Sequence, residues 1–141
     1  MRLIGTGQRA LELACKRAVS RSTFGRKLSK HQSVREDISR MFSEIEMARL
    51  LVLKTCYKID EKGVAASIDM IAATKTTIPL LIQNVIDRAM HMHGAGGLTA
   101  DYCMAEGFNY ARWCRQADGP DQVHQMSLGK QIIERYSGEK A

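Results

Sequence analysis

Apolar residues recur at steps of three and four along nearly all of this 141-residue chain, and no stretch alternates with the two-residue rhythm of a half-buried strand. That periodicity confines the chain to packed helices. Leu3, Gly7, Ala10, Leu11, Ala14 and Ala18 form one stripe, which predicts a first helix ending near Ser20. Ile38, Met41, Phe42, Ile45, Ala48, Val52, Thr55 and Ile59 predict a second from about His31 to Asp60, stopped by Gly63. Ile68, Ile71, Ala72, Ile78, Ile82, Val85, Ile86 and Ala89 predict a third over about Ala65 to His91, with Pro79 inside it as a kink rather than an end. Gly94 to Gly97 closes that helix, a shorter one spans about Asp101 to Arg115, and Gly119-Pro120 opens the last with proline in the first turn. The expected fold is all-α: an antiparallel four-helix bundle with one extra short helix, joined by short connections, the longest being a basic loop from Ser20 to Lys30.

One domain accounts for this length. With 45% hydrophobic and 26% charged residues the composition is that of an ordinary globular chain. No uninterrupted apolar run reaches the roughly 20 residues of a membrane span, and Met1 leads into an amphipathic pattern rather than a signal peptide, so the expectation is an intracellular chain without a span. The second and third helices carry extra apolar residues outside their main stripes, among them Leu50, Leu53, Leu80 and Leu81, which points to burial in an oligomer.

The formal charge of +6 invites a nucleic-acid reading. Its distribution argues otherwise: Arg21, Arg26, Lys27 and Lys30 cluster, while most other cations alternate with acids, so a local anion site is expected and no duplex-binding face. Cys15, Cys56, Cys103 and Cys114 lack the paired spacing of a zinc site and are expected to be reduced and mostly packed. His91 and His93 face different ways on a helix and make no metal pair.

Two segments can carry chemistry. Arg21, Ser22, Thr23, Gly25 and Arg26 combine a guanidinium, hydroxyls and close backbone approach, which suits a pyrophosphate, or they form a solvated connection. Gly94 to Gly97 either lets a cofactor approach the backbone or ends a helix. Asp118, just before a Gly-Pro helix start, either serves free backbone donors there or acts as a general base.

Six segments bear on that choice together: Gln8-Arg-Ala-Leu-Glu-Leu, Ser20-Arg-Ser-Thr-Phe-Gly-Arg-Lys-Leu, His31-Gln32, Glu46-Met-Ala-Arg-Leu-Leu, His93-Gly-Ala-Gly-Gly-Leu and Ala117-Asp-Gly-Pro-Asp-Gln-Val-His124. In order and spacing they resemble the carboxy-terminal helical domain of acyl-CoA dehydrogenases, over essentially the whole of residues 1–141. The resemblance implies an enzyme in which a carboxylate removes the α proton of an acyl-CoA while hydride passes from the β carbon to FAD. The product is a trans-2-enoyl-CoA, and an electron-transfer flavoprotein reoxidises the flavin. It assigns Arg21 and Phe24 to the FAD pyrophosphate of a neighbouring subunit and Gln32 to the same cofactor. His91, Gly94, Ala95, Gly119 and Gln122 fall in flavin-lining segments, and the base position falls on Asp118.

The match has departures. Most relatives have glutamate at the position of Asp118, whose reach is shorter by one methylene, so backbone or substrate must adjust. Pro120 replaces a common threonine, and His91 a common glutamine. The Ala-Asp-Gly-Pro form resembles the subgroup that includes vertebrate members with an additional phosphotransferase domain. The family's amino-terminal helical and middle β domains are not within these residues, so the isolated chain is expected to be inactive and to self-associate as a homodimer or homotetramer. The alternative is a non-catalytic helical oligomerisation module. The implied location is the mitochondrial matrix in a eukaryote and the cytoplasm in a bacterium.

Overall fold

The computed structural model describes residues 1–137, as five α-helices around one core. Helix α1 spans Arg2–Ser20, α2 Gln32–Lys62, α3 Ile68–His93, α4 Met104–Cys114 and α5 Asp121–Ser137. Four long helices and a short one match the expected bundle. The ends depart from expectation where local hydrogen bonds compete with the helix. After Gly63, at φ 77°, Ala65–Ser67 forms a 3-10 turn in which the buried Ser67 hydroxyl donates to the Gly63 carbonyl at 2.8 Å, so α3 starts at Ile68. It then runs through Pro79 to His93. Helix α4 starts at Met104 and not near Asp101, because the Thr99 hydroxyl donates to the Asp101 carboxylate at 2.9 Å and holds a turn. Pro120 sits just ahead of α5 rather than inside it; the Asp121 amide donates back to the Arg115 carbonyl at 3.2 Å and closes a loop first.

The connection after α1 departs further from expectation. It is a miniature antiparallel hairpin, β1 (Ser22–Thr23) with β2 (Arg26–Lys27), paired Ser22 to Lys27 and Thr23 to Arg26, followed by a 3-10 turn at Leu28–Lys30. Strands this short show no alternation in sequence.

Helix α3 is the axis of the molecule, in contact with α1, α2, α4 and α5. Its Ile82, Val85, Ile86 and Ala89 are fully buried with Ile4 and Ala14 of α1, Met41, Ile45 and Ala48 of α2, and Met104 and Ala111 of α4. Small residues set the spacing. A Cβ on Gly7 would lie 3.0 Å from Ile82 Cδ1, and one on Gly107 2.8 Å from Thr6 Cγ2. Residues Ala65–Leu98 are long and apolar enough to cross a membrane by length and composition; in this fold they form the central core helix and the turns at its ends.

Polar ties fix the helices in register around that axis. Thr55 of α2 meets Thr74 of α3 at 2.7 Å, and Arg88 of α3 donates to Glu44 of α2 at 2.6 Å. Asp69, buried in the first turn of α3, accepts from Lys58 of α2 at 2.6 Å and from Arg135 of α5. One carboxylate thus joins three helices. The hydrogen bond from Lys58, then that from Arg135, holds its carboxyl well below the usual carboxylate range, against the opposing effect of burial.

Outside the core, apolar side chains remain on the surface of α2 (Phe42, Met47, Leu50, Leu53, Tyr57) and α5 (Val123, Met126, Ile133, Tyr136), with Leu80 on α3. Cys56 and Cys103 are exposed rather than packed, whereas Cys15 and Cys114 are half-buried. Among the described residues no cluster of His, Cys, Asp and Glu is arranged to hold a metal ion.

Two outcomes follow for stability. Asp69→Asn should lower the unfolding free energy at neutral pH by roughly 1–3 kcal/mol, because two cations lose their partner. The folded pKa lies below the unfolded value of about 3.9, so the contribution is complete above that value and is lost as pH falls through the depressed folded value. Urea titrations should therefore show the gap between wild type and variant narrowing in acid; a gap independent of pH would contradict the assignment. Gly97→Ala should also destabilise, by about 1–3 kcal/mol, since its Cβ would stand 2.5 Å from the Met90 carbonyl oxygen. Thermal unfolding reads this directly.

Candidate functional site

The segment after α1 is built around an uncommon turn. Phe24 and Gly25 have φ of 50° and 77°, so both central residues of the two-residue hairpin are left-handed, the geometry that matches strand twist. Glycine suits it; phenylalanine does not. Phe24 is also 97% exposed, so a strained backbone presents a bare aromatic ring to solvent. The hairpin is anchored behind this tip. Lys27 Nζ donates to the Ser20 carbonyl at 2.9 Å, the Leu28 amide to the Arg21 carbonyl at 2.9 Å, and Arg35 Nε to the Ser29 carbonyl at 2.8 Å.

Beside the hairpin lies a cleft of about 700 Å³ between the end of α1, the start of α2 and the end of α3. Arg21, His91, Gly94 and Ala95, all singled out from sequence, line it together with Arg17, Thr23, Ser33 and Asp37. Gly94, at φ 62°, turns the chain out of α3 and exposes backbone to the cleft. His91 is exposed on one side of α3. His93 is buried on the other, its ring Nδ1 bonded to the Ala89 carbonyl at 2.8 Å and its edge against Tyr102. The histidines therefore diverge, as their spacing requires.

Arg17 was not singled out from sequence. It precedes Arg21 by one helical turn, and that spacing was the available signal. Its Nε is buried and has no partner among the described residues. A desolvated guanidinium N–H facing no acceptor suits an anion that the chain itself does not supply.

The other sequence-predicted residues are not on this cleft. Phe24 is at the hairpin tip, and Gln32 begins α2, where its amide donates to Glu36 at 2.7 Å. Asp118, Gly119 and Gln122 lie in and after the connection from α4 to α5. Asp118 borders a second cleft, of about 280 Å³, walled mostly by apolar and aromatic side chains such as Leu3, Val52, Ile78 and Trp113, with Thr74 and Lys75 also on its lining.

In that connection Asp118 and Gly119 are left-handed in succession, at φ 55° and 100°. The Asp118 carboxylate is exposed and makes no hydrogen bond or ion pair with any described residue. It does not serve the backbone donors of α5; Asp121, buried in the first turn and paired with Arg115 Nε at 2.7 Å, is the acid at that helix start. The carboxylate therefore stands without a partner among the described residues at the edge of a largely apolar cleft.

Comparison with known proteins identifies the family. Residues 1–133 match the family described as acyl-CoA dehydrogenase, C-terminal domain. The chain is 44% identical over 137 residues to Acyl-CoA dehydrogenase family member 10 of Mus musculus, covering 97% of this chain and 13% of that protein. The structure designated as an acyl-CoA dehydrogenase from Mycobacterium abscessus superposes with a TM-score of 0.94 at 37% identity, over 97% of this chain and 34% of the other. Butyryl-CoA dehydrogenase from Megasphaera elsdenii gives a TM-score of 0.85 at 27% identity, over 93% and 34%. The chain thus spans about a third or less of these relatives. It belongs to the acyl-CoA dehydrogenase family, whose carboxy-terminal domain it comprises.

Proposed function

We propose that this chain is the flavin-facing and subunit-joining part of an acyl-CoA dehydrogenase that converts acyl-CoA thioesters to trans-2-enoyl-CoA, with Asp118 as base. The free, exposed carboxylate of Asp118 at the edge of an apolar cleft carries the reading. A thioester carbonyl acidifies its α carbon, so a positioned carboxylate is sufficient to take that proton. FAD, when bound, accepts the hydride from the β carbon. An electron-transfer flavoprotein then takes the two electrons onward.

The larger cleft fits the pyrophosphate of such a cofactor. Arg17 and Arg21 supply guanidinium donors, Thr23 and Ser33 hydroxyls, and Gly94 to Gly96 an accessible backbone. Phe24 and Gln32 adjoin Thr23 and Ser33 at its rim, whereas Gly119 and Gln122 stand apart from it within one chain, which is the arrangement expected if each flavin is held by two subunits. The exposed apolar residues of α2 and α5 supply the surface for a homodimer or homotetramer. The Ala117-Asp-Gly-Pro120 form and the match to family member 10 support membership of that subgroup.

In the full-length flavin-loaded gene product, Asp118→Asn should leave FAD bound and slow flavin bleaching by acyl-CoA by a factor on the order of 10³ or more, within the usual effect of a lost general base. Unchanged bleaching in the variant would remove Asp118 from the reaction. No bleaching of the wild-type protein by any acyl chain length would leave the oligomerisation module as the function. Phe24→Ala should lower flavin retention during gel filtration by about tenfold, the cost of one exposed aromatic anchor, without lowering the melting temperature of the apoprotein; equal retention would exclude the hairpin tip from the site.

A further inference from the structure

The connection from α4 to α5 carries two successive left-handed residues, Asp118 and Gly119. Glycine adopts that conformation freely and aspartate more readily than most L-residues, but such a turn has other conformations open to it unless its surroundings hold it. Here the carbonyls of both left-handed residues are gripped from outside the loop. Lys75 of α3 donates through Nζ to the Gly119 carbonyl at 3.3 Å and to the Cys114 carbonyl, in the last turn of α4, at 2.7 Å. His124 of α5 donates from Nε2 to the Asp118 carbonyl at 3.0 Å. A Cβ on Gly119 would lie 3.2 Å from that same Nε2, so the ring closes directly on the turn. Arg115 and Asp121 close its base, side chain to side chain and backbone to backbone. All of these bonds fall on backbone or on neighbours, and none on the Asp118 carboxylate.

We propose that Lys75 and His124 are positioning residues for Asp118: they fix the backbone that aims a carboxylate one methylene shorter than the family's usual base, and leave its oxygens free. This rests on the reading of Asp118 as base. Lys75 serves the turn from the central helix, so the aim is referenced to the most buried element of the fold. His124 serves it from the helix that follows.

The test compares Lys75→Met, Lys75→Arg, His124→Ala and His124→Gln with wild type in the full-length flavin-loaded protein. Two readouts are taken: amide hydrogen exchange over residues 115–122, and the rate and half-saturation of flavin reduction by acyl-CoA. Lys75→Met and His124→Ala should speed exchange in that segment about tenfold while other helices keep their protection. They should slow reduction on the order of 10- to 100-fold, as displacement of a reacting group by about 1 Å does, with half-saturation changed less than about threefold. His124→Gln, which keeps an N–H donor, should recover most of the rate. Normal exchange and normal reduction in both disrupting variants would overturn the clasp, as would faster exchange without slower reduction. If Lys75→Met fails to fold, Lys75→Arg and the His124 pair decide by the same readouts. Asp118→Asn run alongside separates the two claims: full reduction in that variant sinks the base assignment and the positioning role with it, whereas lost reduction there with intact Lys75 and His124 variants sinks the positioning role alone.

Discussion

The burial of α3 by four other helices is the constraint from which the rest of this structure follows. Ile82, Val85 and Ile86 have no exposed surface, and each neighbouring helix presents its own stripe to that axis. A helix buried on several sides cannot shift without disturbing every partner. Further features are built at its two ends. The larger cleft forms where α3 ends at His93, and Asp69 gathers α2 and α5 where it begins.

The two chemically interesting segments are built in similar ways. The hairpin after α1 and the turn before α5 both place a non-glycine residue at positive φ immediately before a glycine. In both, long side chains from outside the turn bind its carbonyls or those beside it: Lys27 and Arg35 at the first, Lys75 and His124 at the second. The two left-handed L-residues are thus the ones displayed, Phe24 and Asp118. Elsewhere among the described residues, positive φ falls on glycine alone.

Helix number, order and core faces were legible in the sequence because burial imposes a period on residues such as Ile82, Val85, Ile86 and Ala89. The boundaries were less so, since Ser67, Thr99 and Asp121 spend their donors or acceptors on local turns that periodicity does not register. The hairpin at Ser22–Lys27 left no pattern, having only two residues per strand. Of the site, Arg21, His91, Gly94 and Ala95 were legible, through motif resemblance, and they share one cleft. Lys75 was not, because a lysine among threonines in a helical stripe looks the same whether its amine meets water or a carbonyl 39 residues away. His124 appeared only as the end of a motif, with no role attached.

The exposed Phe24 carries a further consequence. Its turn is shaped by bonds within the chain, so the backbone that carries the ring is set before anything is present to receive it. Less backbone freedom remains to be lost when a second surface arrives, which lowers the entropic cost of binding there. The same ring is idle on a lone chain. In the proposed arrangement a flavin site completed by a second subunit would exist only to the extent that subunits meet, so cofactor occupancy would follow protein concentration by mass action as well as cofactor concentration. Dilution alone would then act as a switch on a molecule whose fold does not change.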